Sequence, residues 1–425
     1  MRRIQSARLT QTFVRVLTFF GILIAVTCNI AVAATTDQLA NAGIETAGAT
    51  GATKAFDWQD YGAGYNRVAT HHTGTWGISL KQSSSASSPV GAYQRIDLNQ
   101  KEKNPVFIGA YLKGTNLINN TNSFLAASVY AEIHLTNGKT VYWNSISNKG
   151  TFDWRWIGFN TGTLSGVDAP ISYIFIVPIL AGTTGTAYFD DFQVVEYKPL
   201  TSALTVMIDD GEDSTYTQAK PIMDKYGFVG SSAVIVNYAG QQGYMTWAQV
   251  TALSKAGWEI VSHGLNHVDL TTVTAATLKA ELSSSLTMLK SKGLTVNNFA
   301  IPFGAYNGGV LATGAKYYKS MRLYEQGSNP QGTFPYDVKV RGVLDTTTPE
   351  DISAWIKDAQ KNKQWIVLTF HSVAASGEDA YHVSPAIFDK MMQTIKASGI
   401  QVMTYNSAFD AFKTTPTAAS TVFGQ

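Results

Sequence analysis

Two hydrophobic textures divide the chain. From about Thr35 to Tyr197, short runs alternate apolar and polar residues, charges are sparse, and Gly, Ser, Thr and Asn punctuate the runs. That is the pattern of half-buried strands joined by turns in a β-sandwich. Val129–Leu135 and Thr140–Trp143 flank Asn137-Gly138, and Asn-Gly accepts the positive φ values of a two-residue type I′ turn, so this stretch predicts a hairpin. Val106–Leu112, Tyr173–Ile179 and Ala187–Val195 read as further strands.

After Pro199 the period changes. Continuous apolar runs at Leu204–Ile208, Ser232–Val236, Glu259–Val261, Phe299–Ile301, Val338–Val340, Ile366–Thr369 and Val402–Thr404 alternate with helical segments. In one of these, Ala275–Lys292, Leu278, Leu282, Leu286 and Leu289 recur at helical spacing. Buried strands alternating with amphipathic helices predict an α/β domain on parallel strands, and this many units suggest a distorted (β/α) barrel. The expected layout is a sandwich over 35–197, a barrel over 200–413 and a tail over 414–425. Lys198-Pro199 is read as a linker between two independent cores.

Composition adds three constraints. A chain of 425 residues with 45% hydrophobic content can bury more than one core. Lys and Arg total 32 against 30 Asp and Glu, so no global field draws the protein to nucleic acid or to an anionic membrane. Residues 1–33 read as a signal peptide: Arg2, Arg3, Arg8 and Arg15 precede an apolar run, Val16–Ala25, and Ala31-Val32-Ala33 forms a small-x-small cleavage site. Cleavage before Ala34 lowers the basic count from 32 to 28 and removes Cys28, the single cysteine. Disulfides and a catalytic thiol are thereby excluded from the mature chain. The expected location is secreted or periplasmic, with no membrane in the mature form. An uncleaved anchor is the alternative, and a lipoprotein signal at Cys28 is a weaker one because Thr27 precedes it.

Candidate chemistry collects at the ends of the predicted barrel strands. Asp209 and Asp210 stand before Gly211 at the end of the first, and adjacent carboxylates leaving a buried strand call for a cation or a proton. Taken alone, Asp-Asp-Gly is also an ordinary solvated turn. His263 and His267 follow the third strand, four residues apart, so a helical turn there brings both imidazoles to one ion. Such spacing is also common among surface histidines. Pro302-Phe303-Gly304 ends the fourth strand, and His371 ends Val367-Leu368-Thr369-Phe370-His371. These signals fall in order at strand ends that a barrel gathers on one face.

In this arrangement the chain resembles the polysaccharide deacetylase family, the NodB-homology or family-four carbohydrate esterases, over roughly Leu204 to Phe412. The first family motif, Thr-Phe-Asp-Asp-Gly, appears as Met207-Ile208-Asp209-Asp210-Gly211. His-Ser/Thr-x-x-His matches His263 and His267, Arg-x-Pro-Tyr/Phe appears as Ala300-Ile301-Pro302-Phe303, and the Leu-x-His ending is loosened to Leu368-Thr369-Phe370-His371. The resemblance implies Asp210, His263 and His267 as metal ligands, for Zn²⁺ first and otherwise Co²⁺, Ni²⁺ or Fe²⁺. It implies Asp209 as general base, His371 as general acid, and the backbone N–H of Phe303 at the oxyanion. The motif arginine is Ala300 here, and Arg341 is expected to reach Asp209 in its place, a surface arginine being the alternative. Asp351 and Trp355 match the spacing of the family's Asp-x-x-x-Trp motif, yet Pro349-Glu350-Asp351 reads as a helix start, which leaves the carboxylate partner of His371 unassigned.

The sandwich resembles jelly-roll carbohydrate-binding modules through Tyr188-Phe189-Asp190-Asp191-Phe192. On that reading Trp143, Trp154 and Trp156 stack on sugar rings or, individually, pack in the core, and Asp190 or Asp191 holds a structural Ca²⁺. The expected activity is N-deacetylation of an acetylated polysaccharide. An O-acetyl esterase of the xylan type and a non-catalytic glycan-binding protein are the alternatives.

Overall fold

The computed structural model describes residues 33–34, 39–49, 51–84, 88–119, 123–198, 201–375 and 380–414. The signal segment with its anchor and lipoprotein alternatives, Pro199 of the junction, and the tail therefore lie outside the described residues, apart from Ala33, Ala34 and Thr414. No helix among the described residues is long and apolar enough to cross a membrane.

The N-terminal half is all-β. One antiparallel sheet runs Gly150–Asn160, Val106–Asn119, Thr183–Lys198, Gly77–Gln82 and Asn66–Val68, with Ala33–Ala34 pairing beside the end of the third of these. The facing sheet runs Thr140–Asn144, Ala126–Leu135, Ile171–Ala181, Val90–Asp97 and Gln59–Gly62. Alternation along each strand sends one set of side chains inward, and Ile78, Ile108, Leu112, Ile133, Ile174 and Phe189 form the core between the sheets. The predicted hairpin is present, but its turn differs. Gly138 is left-handed and Asn137 is not, and Leu135 N–H binds the Lys139 carbonyl at 2.9 Å. This is a three-residue loop with glycine in the bulge position, not a type I′ turn.

The C-terminal half is a closed parallel barrel. Ala203–Ile208, Ser231–Val234, Glu259–Ser262, Asn298–Ala300, Ser320–Gln326, Val338–Gly342 and Trp365–Phe370 pair in ring order, the first strand contacting both the second and the last. Gln401–Val402 adds to the first strand from outside the ring. The apolar runs each became a strand, with ends shifted by a residue or two. Ser320–Gln326 was not among them.

A packed seam joins the two halves, beside the core that lies between the sandwich sheets. Phe107 and Tyr111 alternate with the inward Ile108, Ala110 and Leu112 and so emerge on the outer face of their sheet, where they share one hydrophobic cluster with the barrel. The Phe107 ring lies against Gly109 and Gly158, which are paired across the strands; a Cβ at either would meet it at 2.6 or 2.5 Å. Trp156 meets Phe334 of the barrel edge-on at 5.0 Å, and Phe107 stacks on the same ring at 5.9 Å. Asn160 donates to the Gln331 and Gly332 carbonyls, and the Tyr197 hydroxyl meets that of Thr414 at 2.6 Å. Removing everything up to Tyr197 would expose this seam, so the junction is a covalent crossing of a packed interface.

Candidate active site

Irregular turns after the first, third and fourth barrel strands bring site residues into place. Asp209 leaves the first strand still bonded to the sheet, its N–H donating to the Phe370 carbonyl at 2.9 Å. The chain then reverses at Asp210 and Gly211, with φ of 68° and 76°. His263 continues the third strand, and its Nδ1 donates to the Ala300 carbonyl at 2.8 Å. That bond fixes the tautomer and leaves the Nε2 lone pair directed at the site. The path to His267 is not the helical turn expected. It is an open bend with Gly264 at φ 82° and His267 at φ 53°, pinned from helix Ala275–Ser291 by Glu281. That buried carboxylate accepts Leu265 N–H at 2.7 Å, Asn266 N–H at 3.1 Å and the Asn266 side-chain amide at 2.7 Å.

Backbone strain concentrates here. Among the described barrel residues, four non-glycines have positive φ: Asp210, His267, Phe303 and Lys363. Lys363 is the left-handed C-cap of helix Pro349–Asn362, an ordinary place for it. The other three all line the site, where such strain persists only if the surroundings enforce it. At Gly304, beside Phe303, φ is 64° and a Cβ would stand 2.6 Å from the Tyr324 side chain, so glycine is required twice over.

Asp210, His263 and His267 come together. Asp210 Oδ1 lies 3.4 Å from His263 Nε2 and 3.5 Å from His267 Nε2, and the three ligand atoms fall within 4.8 Å of one another. Asp210 Oδ1 is buried and accepts no hydrogen bond. A carboxylate oxygen without a donor, faced by two imidazole nitrogens, is the donor set of a first-row divalent cation. Among the described residues this is the one grouping able to hold such an ion. Burial pushes the Asp210 carboxyl up, but the His263 imidazole and the charges of His371 and His267 outweigh it and hold the group at about 2. Burial opposes the protonated form at both histidines; the Asp210 and Asp209 carboxylates overcome it at His263, whose pKa rises, while His267 is lowered.

Asp209 is 2% exposed, and its Oδ2 receives Arg322 Nη2 at 2.5 Å. Arg322 lies on the strand absent from the sequence reading, paired in register with Ala300. The guanidinium missing at Ala300 is thus supplied from the adjacent strand. Arg341 does not supply it. Val338 and Val340 point into the barrel interior, so Arg341 faces the other way, and its guanidinium lies 5.8 Å from the Trp355 ring.

His371 Nε2 is 3.9 Å from the same Asp209 oxygen. Its Nδ1 is buried without a partner. Asp351 is not that partner: its carboxylate caps its own helix, accepting the Thr348 N–H at 2.9 Å. Phe303, at φ 57° and ψ 1°, is exposed, with its ring 4.4 Å from that of His267. Asp209, Asp210, His263, His267, Phe303, Arg322 and His371 all line one pocket of about 320 Å³, together with Tyr324 and Tyr381. Tyr324, its hydroxyl pushed up to about 12 by burial and the Asp209 charge, stays protonated there.

The sandwich residues separate. Trp156 is buried at the seam, and Trp154 is half-buried against the same cluster. Trp143 is exposed. The oxygens of Asp190 and Asp191 are all taken: Asp190 accepts the N–H groups of Asp191, His72 and Thr73, and Asp191 binds the Thr73 hydroxyl and His72 Nδ1, each at 2.7 Å. These hydrogen bonds close the loop.

Residues 197–319 match the family model described as polysaccharide deacetylase. Over 122 residues the chain is 25% identical to YxkH of Bacillus subtilis (strain 168), whose name places it among the polysaccharide deacetylases; the match covers 28% of this chain and 43% of that relative's length. Among solved structures, peptidoglycan deacetylase PdaC from Bacillus subtilis aligns at 14% identity and a TM-score of 0.38, covering 50% of this chain and 93% of that one. A family 4 carbohydrate esterase from Streptomyces lividans aligns at 17% and 0.36, covering 47% and 91%.

Proposed function

We propose that this chain, whose residues 197–319 match the polysaccharide deacetylase family model, hydrolyses N-acetyl groups on a polysaccharide outside the cytoplasm, with Asp209 as base and His371 as acid. One observation carries the reading: two adjacent carboxylates and three imidazoles from three strand ends converge on one pocket, and each carboxylate keeps one oxygen without a donor. The family is metal-dependent, and Asp210, His263 and His267 would hold the ion. A divalent ion bound there supplies Lewis acidity to a carbonyl oxygen and acidifies water.

The remaining work belongs to side chains. Arg322 occupies Asp209 Oδ2, so Oδ1 is left to take the proton of water as its oxygen bonds to the acetyl carbon. The backbone N–H of Phe303, set by its left-handed turn, is assigned to the oxyanion. His371, from a different strand end, gives its proton to the departing nitrogen as the C–N bond breaks, releasing acetate. The sequence of residues 1–33, read as a signal peptide, supports an extracytoplasmic substrate.

Acetate release from acetylated glycans by metal-loaded protein tests the activity. His263→Ala and His267→Ala should each cut metal content and acetate release while the protein stays folded. Full metal occupancy in both variants would remove the ligand assignment.

A further inference from the structure

Beside the catalytic pocket a second cleft, of about 270 Å³, opens between the two halves of the molecule. The sandwich contributes Phe124 and Trp143, and the barrel contributes Tyr306, Glu325 and Lys339. Phe124 is 67% exposed and Trp143 42%, so neither is spent on the core. The barrel wall is polar and ordered: Glu325 accepts both the Tyr306 hydroxyl and Lys339 Nζ.

This cleft adjoins the catalytic one through two segments. Phe303 and Gly304 line the catalytic pocket and Tyr306 the second cleft; Tyr324 and Glu325 are consecutive on one strand and line one each. At most about 10 Å of backbone separates Phe303 from Tyr306, and Tyr324 and Glu325 point to opposite faces by strand alternation. A ligand lying over that strand end reaches both.

Flat aromatic faces opposite a carboxylate, an ammonium and a phenol are complementary to a pyranose, whose apolar face stacks while its hydroxyls hydrogen-bond. Resting on the deacetylase reading, we infer that this interdomain cleft binds a neighbouring sugar of the same polysaccharide whose acetylated residue sits at Asp209 and His371. Trp143 is its stacking platform. The sandwich then acts as a fixed wall of the substrate groove, held in place by the Phe107–Trp156–Phe334 seam, and not as a tethered module.

The test uses the full-length protein with β-1,4-linked N-acetylglucosamine oligomers from dimer to hexamer. In the wild type, KM should fall with chain length. Trp143→Ala should raise KM for the hexamer by up to about tenfold, with kcat little changed, and so erase the gain from length; Trp143→Phe should keep most of it. Wild-type length dependence in Trp143→Ala would overturn the inference. Hexamer binding, followed by calorimetry, separates the two readings. If the wild type binds the hexamer, releases no acetate, and loses binding on Trp143→Ala, the cleft stands and the deacetylase reading falls. Equal binding by wild type and Trp143→Ala removes the cleft whatever the acetate result.

Discussion

Two Asp-Asp pairs, Asp190-Asp191 on the last sandwich strand and Asp209-Asp210 after the first barrel strand, look alike in the sequence. Each has its second aspartate in the left-handed region, with φ of 47° and 68°, and each lies beside histidine. Their oxygens differ. At Asp190-Asp191 every carboxylate oxygen accepts a hydrogen bond; at Asp209-Asp210 one oxygen of each is buried without a donor. The fold completes the first pair within itself. It leaves the second needing something from outside, and an incomplete buried polar set, more than the residue types, marks the functional site.

The comparison breaks most readily at Arg322. Arg322→Ala strands the buried Asp209 charge, and a buried pair broken from one side costs about 3–5 kcal/mol; denaturant unfolding should show that loss. Arg341→Ala, which removes only a guanidinium near Trp355, should cost about 1 kcal/mol or less. Because Ala300 and Arg322 are paired in register, adding Ala300→Arg to Arg322→Ala should recover much of the stability. Failure to recover it would mean that Arg322 does more than neutralise Asp209.

Turnover sharpens the comparison next. Asp209→Asn should keep metal yet lose on the order of a hundredfold or more in kcat, while Asp210→Asn should lose metal first. The same exchanges at Asp190 and Asp191 should leave kcat near the wild-type value. Near-normal turnover by metal-loaded Asp209→Asn would place the base elsewhere.

What the sequence could reveal follows the same division. Apolar runs and strand-end polar residues are local signals, so the barrel and the positions of Asp209, Asp210, His263, His267 and His371 were readable. Arg322 was not, because Ser-Met-Arg-Leu-Tyr-Glu-Gln lacks an apolar run: its arginine is buried only because Asp209 neutralises it, a partner distant in the chain. Glu281 was hidden likewise inside a leucine stripe, where its carboxylate serves three loop amide groups. The seam was invisible because strand alternation shows that Phe107, Tyr111 and Trp156 share a face, not what covers it.

The smallest effect concerns the completed pair. Burial, and then the charge of Asp191, push the Asp190 carboxyl up to about 7, against about 3.9 in an unfolded chain. Between those values the native state holds a proton that the unfolded chain has released. Stability should therefore fall as pH rises through that interval, and it should level off above about 7. Glu259 and Asp337, raised by burial to about 7 and about 6, add slopes of the same sign, so the quantity to measure is the difference between wild type and Asp190→Asn. Asparagine places a donor where Asp190 accepts backbone N–H groups, which lowers Tm at every pH but removes the titration. Calorimetry between about pH 5 and pH 7 should give a smaller drop in Tm for the variant than for the wild type. An unchanged drop would mean that Asp190 is ionised across this range, its amide donors being enough to hold the charge in the core.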